Sequence, residues 1–188
     1  LLRTVQTAGI AGDRPWSALS MLDAGSWHSA GFAGEPLPTL ATIVRFIRAN
    51  GFTVNLEIKP TQGVEHHTGR VVAQHVQQLW SGASAPPLLS SFKPEALAGA
   101  REAAPTLPRA LLLDTFWEGW QAAAQALECV AVVCNHKRLD AESMALARQV
   151  GARVLVYTVN APGDVQRMKA LGVDGIITDA VDQHQPVD

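Results

Sequence analysis

An acidic and a basic side chain stand two residues apart in the run Asn55-Leu56-Glu57-Ile58-Lys59-Pro60. Side chains at positions i and i+2 of a strand share a face, so Glu57 and Lys59 are predicted to lie side by side. Pro60 has no backbone N–H and is expected to end the strand. This places an acid and a base at the carboxyl end of a strand, where α/β proteins build their active sites.

Polar residues also follow the other predicted strands at the point where each one ends. If the six strands belong to one barrel, their carboxyl ends form a ring around a single mouth. The polar residues at these ends are Glu57 and Lys59, Ser90 and Ser91, Asp114, Asn135 with His136 and Lys137, Thr158 with Asn160, and Thr178 with Asp179.

The elements that position these residues alternate along the chain. Short apolar runs predict strands over residues 53–59, 88–92, 110–114, 130–135, 153–159 and 173–178. Helical spacing separates them, with Thr39, Asp140 and Asn160 as predicted N-caps and glycines such as Gly172 at the ends. Strands that alternate with helices pair in parallel through right-handed crossovers.

Two observations favour a barrel over an open doubly wound sheet. No Gly-x-Gly-x-x-Gly loop follows a strand, so the common dinucleotide fingerprint is missing. The ring of polar strand ends suits a barrel mouth. We therefore expect a TIM-barrel-like α/β fold. A complete barrel of this type has about 250 residues, so 188 residues with six strands predict an incomplete one, with about six of eight β/α units present.

Composition narrows the class of partner. The chain is 47% hydrophobic and 17% charged, with a net charge of −2 and a pI near 6.3, which is typical of one globular domain. The predicted elements carry no cluster of Lys or Arg, which a nucleic-acid or membrane surface would require. A small molecule is therefore the expected partner. Cys129 and Cys134 lie in one apolar run and are predicted to be free thiols in a reducing cytoplasm.

Several polar residues have a structural and a functional reading. His136 is predicted to face the mouth, either as a donor to substrate or as a solvated loop histidine. His66 and His67 lack the i, i+4 spacing of a paired metal site and are expected on the surface of a helix N-terminus. Asp179, with Thr178, either binds phosphate at the last strand or forms a structural turn.

Five segments, in this order, resemble bacterial glycerophosphodiester phosphodiesterases, and the cytoplasmic members in particular. Any one of these motifs is weak, but together they cover nearly the whole chain. They are Leu22-Asp23-Ala24-Gly25-Ser26-Trp27 followed by Gly34-Glu35-Pro36-Leu37-Pro38-Thr39-Leu40, then Asn55 to Pro60, Ser90-Ser91-Phe92, Val156 to Asn160, and Gly172 to Asp179.

The resemblance implies a distorted TIM barrel that hydrolyses glycerophosphodiesters to glycerol 3-phosphate and an alcohol, with Ca²⁺ or Mg²⁺, in glycerophospholipid metabolism. It implies that Glu57 is a metal ligand and that Lys59 is catalytic, contacting the phosphate or the charge that develops on it. It also implies that Ser91, Phe92 and Tyr157 bind substrate.

The same resemblance divides the chain into one phosphodiesterase domain at residues 1–183 and a tail at 184–188. Residues 8–38 resemble the family's insertion, which caps the barrel mouth. In the family, a His-Arg-Gly strand, a Glu-Asn-Thr turn, an acidic second strand and a later His-Asp pair lie upstream of a segment like Arg3-Thr4. Together these segments supply both acid/base histidines and most of the metal carboxylates. We therefore expect this chain to lack its N-terminal part and, by itself, to be inactive.

Three alternatives remain open at this stage. The first is that Glu57 and Lys59 form a simple i, i+2 ion pair on an exposed strand. Separately, one carboxylate is too few for a hard cation that takes six or more oxygen ligands, so weak metal affinity is expected of this chain. The polypeptide is a silent fragment or a partial barrel that self-associates. Least favoured is a barrel lyase that uses the Lys59 amine to form a Schiff base.

Overall fold

The computed structural model describes residues 5, 7–83 and 85–184 of the chain. The Arg3-Thr4 pair lies outside the described residues, and so does the predicted tail at 184–188 except for residue 184. The chain divides into two compact units, residues 1–52 and 53–188, and each is described by itself. Among the described residues no helix is both long and apolar enough to cross a membrane.

The first unit consists mainly of turns before one regular helix. Its short elements are the 3-10 turns Ala11–Asp13 and Ala30–Phe32 and the single helical turn α1 (Trp16–Leu19). Helix α2 (Leu40–Ala49) begins where the sequence predicts, because the Thr39 hydroxyl accepts a hydrogen bond from the Thr42 N–H at 3.1 Å. It ends before Gly51, which has a φ of 66° that favours glycine.

The second unit alternates strands and helices throughout. Its strands are β1 (Asn55–Glu57), β2 (Leu88–Ser91), β3 (Arg109–Leu113), β4 (Ala131–Asn135), β5 (Arg153–Tyr157) and β6 (Gly175–Ile176). Its helices are α3 (Glu65–Leu79), α4 (Pro94–Ala103), α5 (Trp120–Ala126), α6 (Ala141–Gln149) and α7 (Pro162–Leu171).

All neighbouring strands pair in parallel, and their spatial order β1-β2-β3-β4-β5-β6 is the order of the chain. A doubly wound sheet reverses its strand order at a switch point, whereas a barrel adds each strand beside the previous one. The sheet therefore has barrel topology. With six strands it forms an incomplete barrel, and the predicted fold class is confirmed.

The two faces of the sheet differ in what covers them. Side chains such as Leu111, Val132 and Val154 pack with buried residues of the helices, including Leu97 and Met168, in the main core. The opposite face carries a small apolar cluster of Ala110, Leu112, Ala131 and Val133, with Leu88, Leu155 and Tyr157 packed against it. This second face is the interior of the barrel.

Some predicted bounds need correction. Asn160 is not an N-cap, because Ala161 precedes helix α7 and Pro162 occupies its first turn. Strand β6 is shorter than predicted at two residues, although the Ile177 N–H still donates to the Val156 carbonyl at 2.8 Å. Cys129 and Cys134 are free thiols, as predicted.

Candidate active site

Glu57 and Lys59 lie together at the carboxyl end of β1, as the i, i+2 spacing predicts. The Lys59 Nζ is 3.4 Å from a carboxylate oxygen of Glu57. The two side chains differ in exposure, 71% for Lys59 and 31% for Glu57. An exposed ammonium therefore stands beside a less exposed carboxylate, and both can meet a ligand that arrives from solvent.

The two serines at the end of β2 point to opposite faces of the sheet. Ser90 is the register partner of Glu57, and paired residues of parallel strands share a face. Ser91 lies on the other face, where its hydroxyl donates to the Ile58 carbonyl at 2.8 Å and accepts from the Lys93 N–H at 3.1 Å. Ser91 thus ties the end of β2 to the end of β1.

This geometry does not support the pocket-lining role predicted for Ser91. Ser90 is the better candidate, because it shares the face of Glu57 and its fully buried hydroxyl has no hydrogen-bond partner among the described residues. A buried hydroxyl without a partner is costly and marks a site where a ligand or water can bind. The sequence signal for Ser90 is the alternation of side chains along a strand, which places Ser90 and Ser91 on opposite faces. The register between β1 and β2 is needed to show that Ser90 shares the face of Glu57.

The aromatic residues predicted to bind substrate are brought together. The rings of Phe92 and Tyr157 meet edge to face, with centroids 5.9 Å apart and planes at 87°. Phe92 directly follows β2, and Tyr157 is the last residue of β5. In a flat sheet with ordinary strand spacing, the backbones of these two strands would be about 14 Å apart. Their contact shows that the strand ends converge on the inner face.

Tyr157 remains a neutral hydrogen-bond donor. Its hydroxyl donates to the Leu113 carbonyl at 3.3 Å. Burial, followed by the negative charges of Asp114 and Glu57, raises the pKa of Tyr157 to about 12. The phenol can therefore orient a polar group of a ligand, but it cannot serve as a base near neutral pH.

Asp114 and Asn135 end two neighbouring strands and bind one another. The Asn135 amide donates to the Asp114 carboxylate at 2.8 Å, and the Asn135 amide oxygen accepts from the Lys137 N–H at 3.0 Å. This pair fixes the rim of the inner face between β3 and β4, and it adds a second carboxylate to the polar ring.

The predicted orientation of His136 was wrong. Its side chain is buried and lies against helix α7, with Nδ1 at 3.4 Å from an Arg167 nitrogen and 3.8 Å from an Asp164 oxygen. The same Arg167 group donates to the His136 carbonyl at 2.8 Å. Because Asn135 belongs to the inner face, the next residue faces outward.

The polar residues after β6 form a structural turn. The Asn160 amide oxygen accepts from the Thr178 hydroxyl at 3.0 Å and from the Asp179 N–H at 2.9 Å. The Asn160 amide in turn donates to the Asp179 carboxylate at 3.3 Å. These groups bind each other, which supports the structural reading of Thr178 and Asp179.

The described residues contain no group of three or more His, Cys, Asp or Glu side chains that could hold a metal ion. His66 pairs with Glu102 of α4, its Nε2 3.2 Å from a carboxylate oxygen, at the surface where the sequence places it. Glu57 therefore contributes one carboxylate oxygen donor to the inner face rather than a complete cage.

Comparison with known proteins agrees with this arrangement. The sequence profile of the glycerophosphoryl diester phosphodiesterase family matches residues 1–183. YhdW of Bacillus subtilis (strain 168), a candidate glycerophosphodiester phosphodiesterase, is 30% identical over 185 residues, which are 96% of this chain and 74% of that protein. A glycerophosphodiester phosphodiesterase of Caldanaerobacter subterraneus is 29% identical over 182 residues, covering 94% of this chain and 72% of the relative.

A solved structure shows the same fold. An Oleispira antarctica phosphodiesterase, determined in complex with the product sn-glycerol-3-phosphate, superposes with a TM-score of 0.87 at 26% identity. The match covers 97% of this chain and 74% of that protein. The six-stranded sheet and its helices thus correspond to most of a phosphodiesterase of known structure.

Proposed function

This chain belongs to the glycerophosphoryl diester phosphodiesterase family of phosphoric diester hydrolases, and we propose that its site takes part in metal-dependent hydrolysis of glycerophosphodiesters. The products are glycerol 3-phosphate and an alcohol, and the setting is glycerophospholipid metabolism in the cytoplasm. The observation that carries the proposal is the Glu57–Lys59 pair at the end of β1, next to the inner face of an incomplete barrel.

Lys59 supplies positive charge to the reaction. A phosphodiester that is being cleaved gathers negative charge on its non-bridging oxygens, and a positioned cation stabilises that charge. The Lys59 ammonium is exposed, and its nearest anionic group is Glu57 at 3.4 Å. It can therefore turn toward a bound phosphate without breaking a buried ion pair.

Glu57 fits the role of one ligand to a hard divalent cation. Mg²⁺ is commonly held by one or two carboxylates, with water and substrate phosphate oxygens completing its shell, while Ca²⁺ takes six to eight oxygens. The half-buried Glu57 carboxylate is such a donor, and Asp114 on the same rim is engaged with Asn135. When bound, the cation would neutralise phosphate charge.

Phe92 and Tyr157 form the wall that we assign to substrate binding. Phe92 is 42% exposed beside the Tyr157 ring, so it offers apolar surface to the carbon chain of a glycerol unit. The Ser90 hydroxyl on the face of Glu57 can donate to a substrate oxygen. We assign none of these residues as the proton donor to the leaving alkoxide. The proton donor is therefore a residue other than those assigned above.

The exposure of Lys59 does not favour the Schiff-base lyase. A Schiff-base lysine is activated by desolvation or by a neighbouring cation. Lys59 has neither, because its side chain is 71% exposed and its close partner is a carboxylate.

The proposal predicts that Glu57→Gln and Lys59→Met each lower the release of glycerol 3-phosphate from glycerophosphocholine by about 100-fold or more, as when a charge-stabilising group is lost. Both substitutions are assayed in a version of the chain that is extended upstream through a family-like His-Arg-Gly segment, with and without EDTA. The 188-residue chain is assayed beside it. We expect chelator-sensitive activity in the extended version.

Two surface substitutions serve as matched controls. Glu102→Gln removes a carboxylate that pairs with His66, and Lys169→Met removes an ammonium in the last turn of α7. Both should retain activity within about twofold, since surface changes away from a site have small effects. Full activity of Glu57→Gln, or activity that EDTA leaves unchanged, would contradict the metal-ligand role.

A further inference from the structure

A loop in the first unit forms a shallow surface cavity, open to solvent, whose lining includes aromatic residues and an acidic residue. The cavity has a volume of about 220 Å³ and is lined by Ala24, Gly25, Trp27, His28, Phe32 and Glu35. Ligand pockets for drug-sized molecules span about 300–1,000 Å³. This one matches a head group rather than an entire substrate. We call residues 23–36 the cage loop.

The three rings of the cage loop stand at right angles to one another in succession. The Trp27 and His28 rings have centroids 5.7 Å apart and planes at 85°, and the His28 and Phe32 rings are 5.0 Å apart at 88°. Trp27 and Phe32 are each about half exposed, at 52% and 50%. The arrangement holds aromatic surface open to solvent around a small concave space.

Asp23 holds the cage loop closed. Its carboxylate accepts from the Gly25 and Ser26 N–H groups at 2.8 and 2.9 Å, from the Ser26 hydroxyl at 2.6 Å and from the distant Gly34 N–H at 2.9 Å. These bonds, those from Ser26 foremost, hold the pKa of Asp23 well below its usual range. The carboxylate thus stays charged and keeps both ends of the loop in place.

Backbone packing fixes the rest of the loop. The Ala24 N–H donates to the Glu35 carbonyl at 2.7 Å. Any Cβ at Gly25 would collide with the Phe32 carbonyl, so glycine alone permits this close approach. The rings and the acidic residue are consequently preorganised, which reduces the entropy lost when a ligand binds.

The chemistry of this lining favours an organic cation with apolar surface. The faces of aromatic rings attract cations, and aromatic cages are the known solution for quaternary ammonium groups. Glu35 belongs to the lining, and its negative charge disfavours phosphate. We propose that the cage loop binds a quaternary ammonium group of the trimethylammonium type. This inference rests on the proposed function only in naming choline-bearing diesters as the source of the quaternary ammonium group.

The test is titration of the 188-residue chain with choline, followed by ¹H–¹⁵N NMR. We expect shifts of the Trp27 indole and of the Phe32 and Glu35 amides that saturate with choline concentration. The probe 3,3-dimethylbutan-1-ol has the shape of choline without its charge, and it should bind about fivefold more weakly if cation–π attraction contributes about 1 kcal/mol. Equal binding of the two probes, or no shifts in the loop, would overturn the proposal.

Conservative variants locate the binding to the cage. Phe32→Leu keeps an apolar side chain but removes a ring, and Glu35→Gln keeps size but removes charge. Each should weaken choline binding about two- to fivefold. The matched control is Phe46→Leu, since Phe46 is an exposed phenylalanine of α2 whose ring pairs with Phe52 and does not line the cavity. A loss in Phe46→Leu as large as that in Phe32→Leu would count against the site.

Two further probes distinguish the source of the ammonium group. Shifts with glycerophosphocholine would assign the site to a small diester, whereas a response to phosphatidylcholine vesicles alone would overturn that assignment. Because binding is measured without turnover, the two proposals fail independently. If the extended version binds choline but hydrolyses nothing, only the proposed function is contradicted. If the extended version is active but its loop shows no shifts with choline, only the cage is contradicted.

Discussion

Two adjacent serines with opposite surroundings provide the sharpest comparison between single residues. Ser91 makes a buried hydrogen bond to the Ile58 carbonyl after β1 and a partly buried one with the Lys93 N–H, whereas the buried Ser90 hydroxyl has no partner among the described residues. Ser91→Ala should therefore lower the free energy of unfolding by about 1–3 kcal/mol, and Ser90→Ala should change it by about 0.5 kcal/mol or less or raise it. Urea unfolding of both variants is the measurement.

The serine pair also connects stability with the site. If the Ser90 hydroxyl serves a ligand, Ser90→Ala keeps its stability while substrate affinity falls. The opposite order of stabilities, with Ser90→Ala the weaker protein, would show that the hydroxyl has a structural partner that this structure does not reveal.

The buried thiol of Cys134 makes stability depend on alkaline pH. Burial raises the pKa of Cys134 from an ordinary value of 9.0 to about 12. Between these values the unfolded chain loses a proton that the folded chain retains, so the free energy of unfolding falls as pH rises. Urea unfolding between pH 8 and 10.5 should show a shallower decline for Cys134→Ala than for the native chain. Parallel declines would contradict the assignment.

At the scale of elements, helices α3 and α4 depend on two glycines. A Cβ at Gly69 would collide with the Ala96 carbonyl, and one at Gly99 with the His66 carbonyl. Gly99→Ala must therefore push the helices apart and should cost about 1–3 kcal/mol in the free energy of unfolding. Thermal or urea unfolding measures the loss.

The control for that prediction is a glycine with open space. A Cβ at Gly163 in α7 would have no neighbour within 4 Å, and alanine is the better helix former by about 0.8–1 kcal/mol. Gly163→Ala should leave stability unchanged or raise it. If both alanine variants behave alike, the close approach of α3 and α4 is not what Gly99 provides.

Three helix ends marked by a side chain or a glycine are predicted correctly, whereas most strand limits differ from the prediction by one residue or more. Thr39 and Asp140 cap their helices by accepting backbone N–H bonds, and Gly172 ends α7 in a left-handed conformation, as the local sequence indicates. Helix α5 begins at Trp120, directly after Gly119, which has a φ of 87°. Strand limits depend on the neighbouring strand, which lies far away in sequence.

At the scale of the whole molecule, the sequence established which strand ends carry polar residues but not which face each one occupies. Glu57 and Lys59 were placed together by spacing alone. The resemblance assigns Ser91 to the substrate site and the strand-end position assigns His136 to the mouth, whereas the register turns Ser90 and Asn135 inward. One residue of uncertainty in a strand reverses the face, so motifs at strand ends need a structure to fix their direction.

The open sheet makes a final prediction about association. Among the described residues, β1 pairs only with β2 and β6 pairs only with β5. Each of these two end strands therefore pairs with another described strand along one edge only. Edge strands with unpaired backbone groups invite pairing with another chain. We expect the 188-residue chain to self-associate with rising concentration, as measured by analytical ultracentrifugation. A monomer up to 100 μM that melts in one sharp cooperative transition would show that these edges are already satisfied.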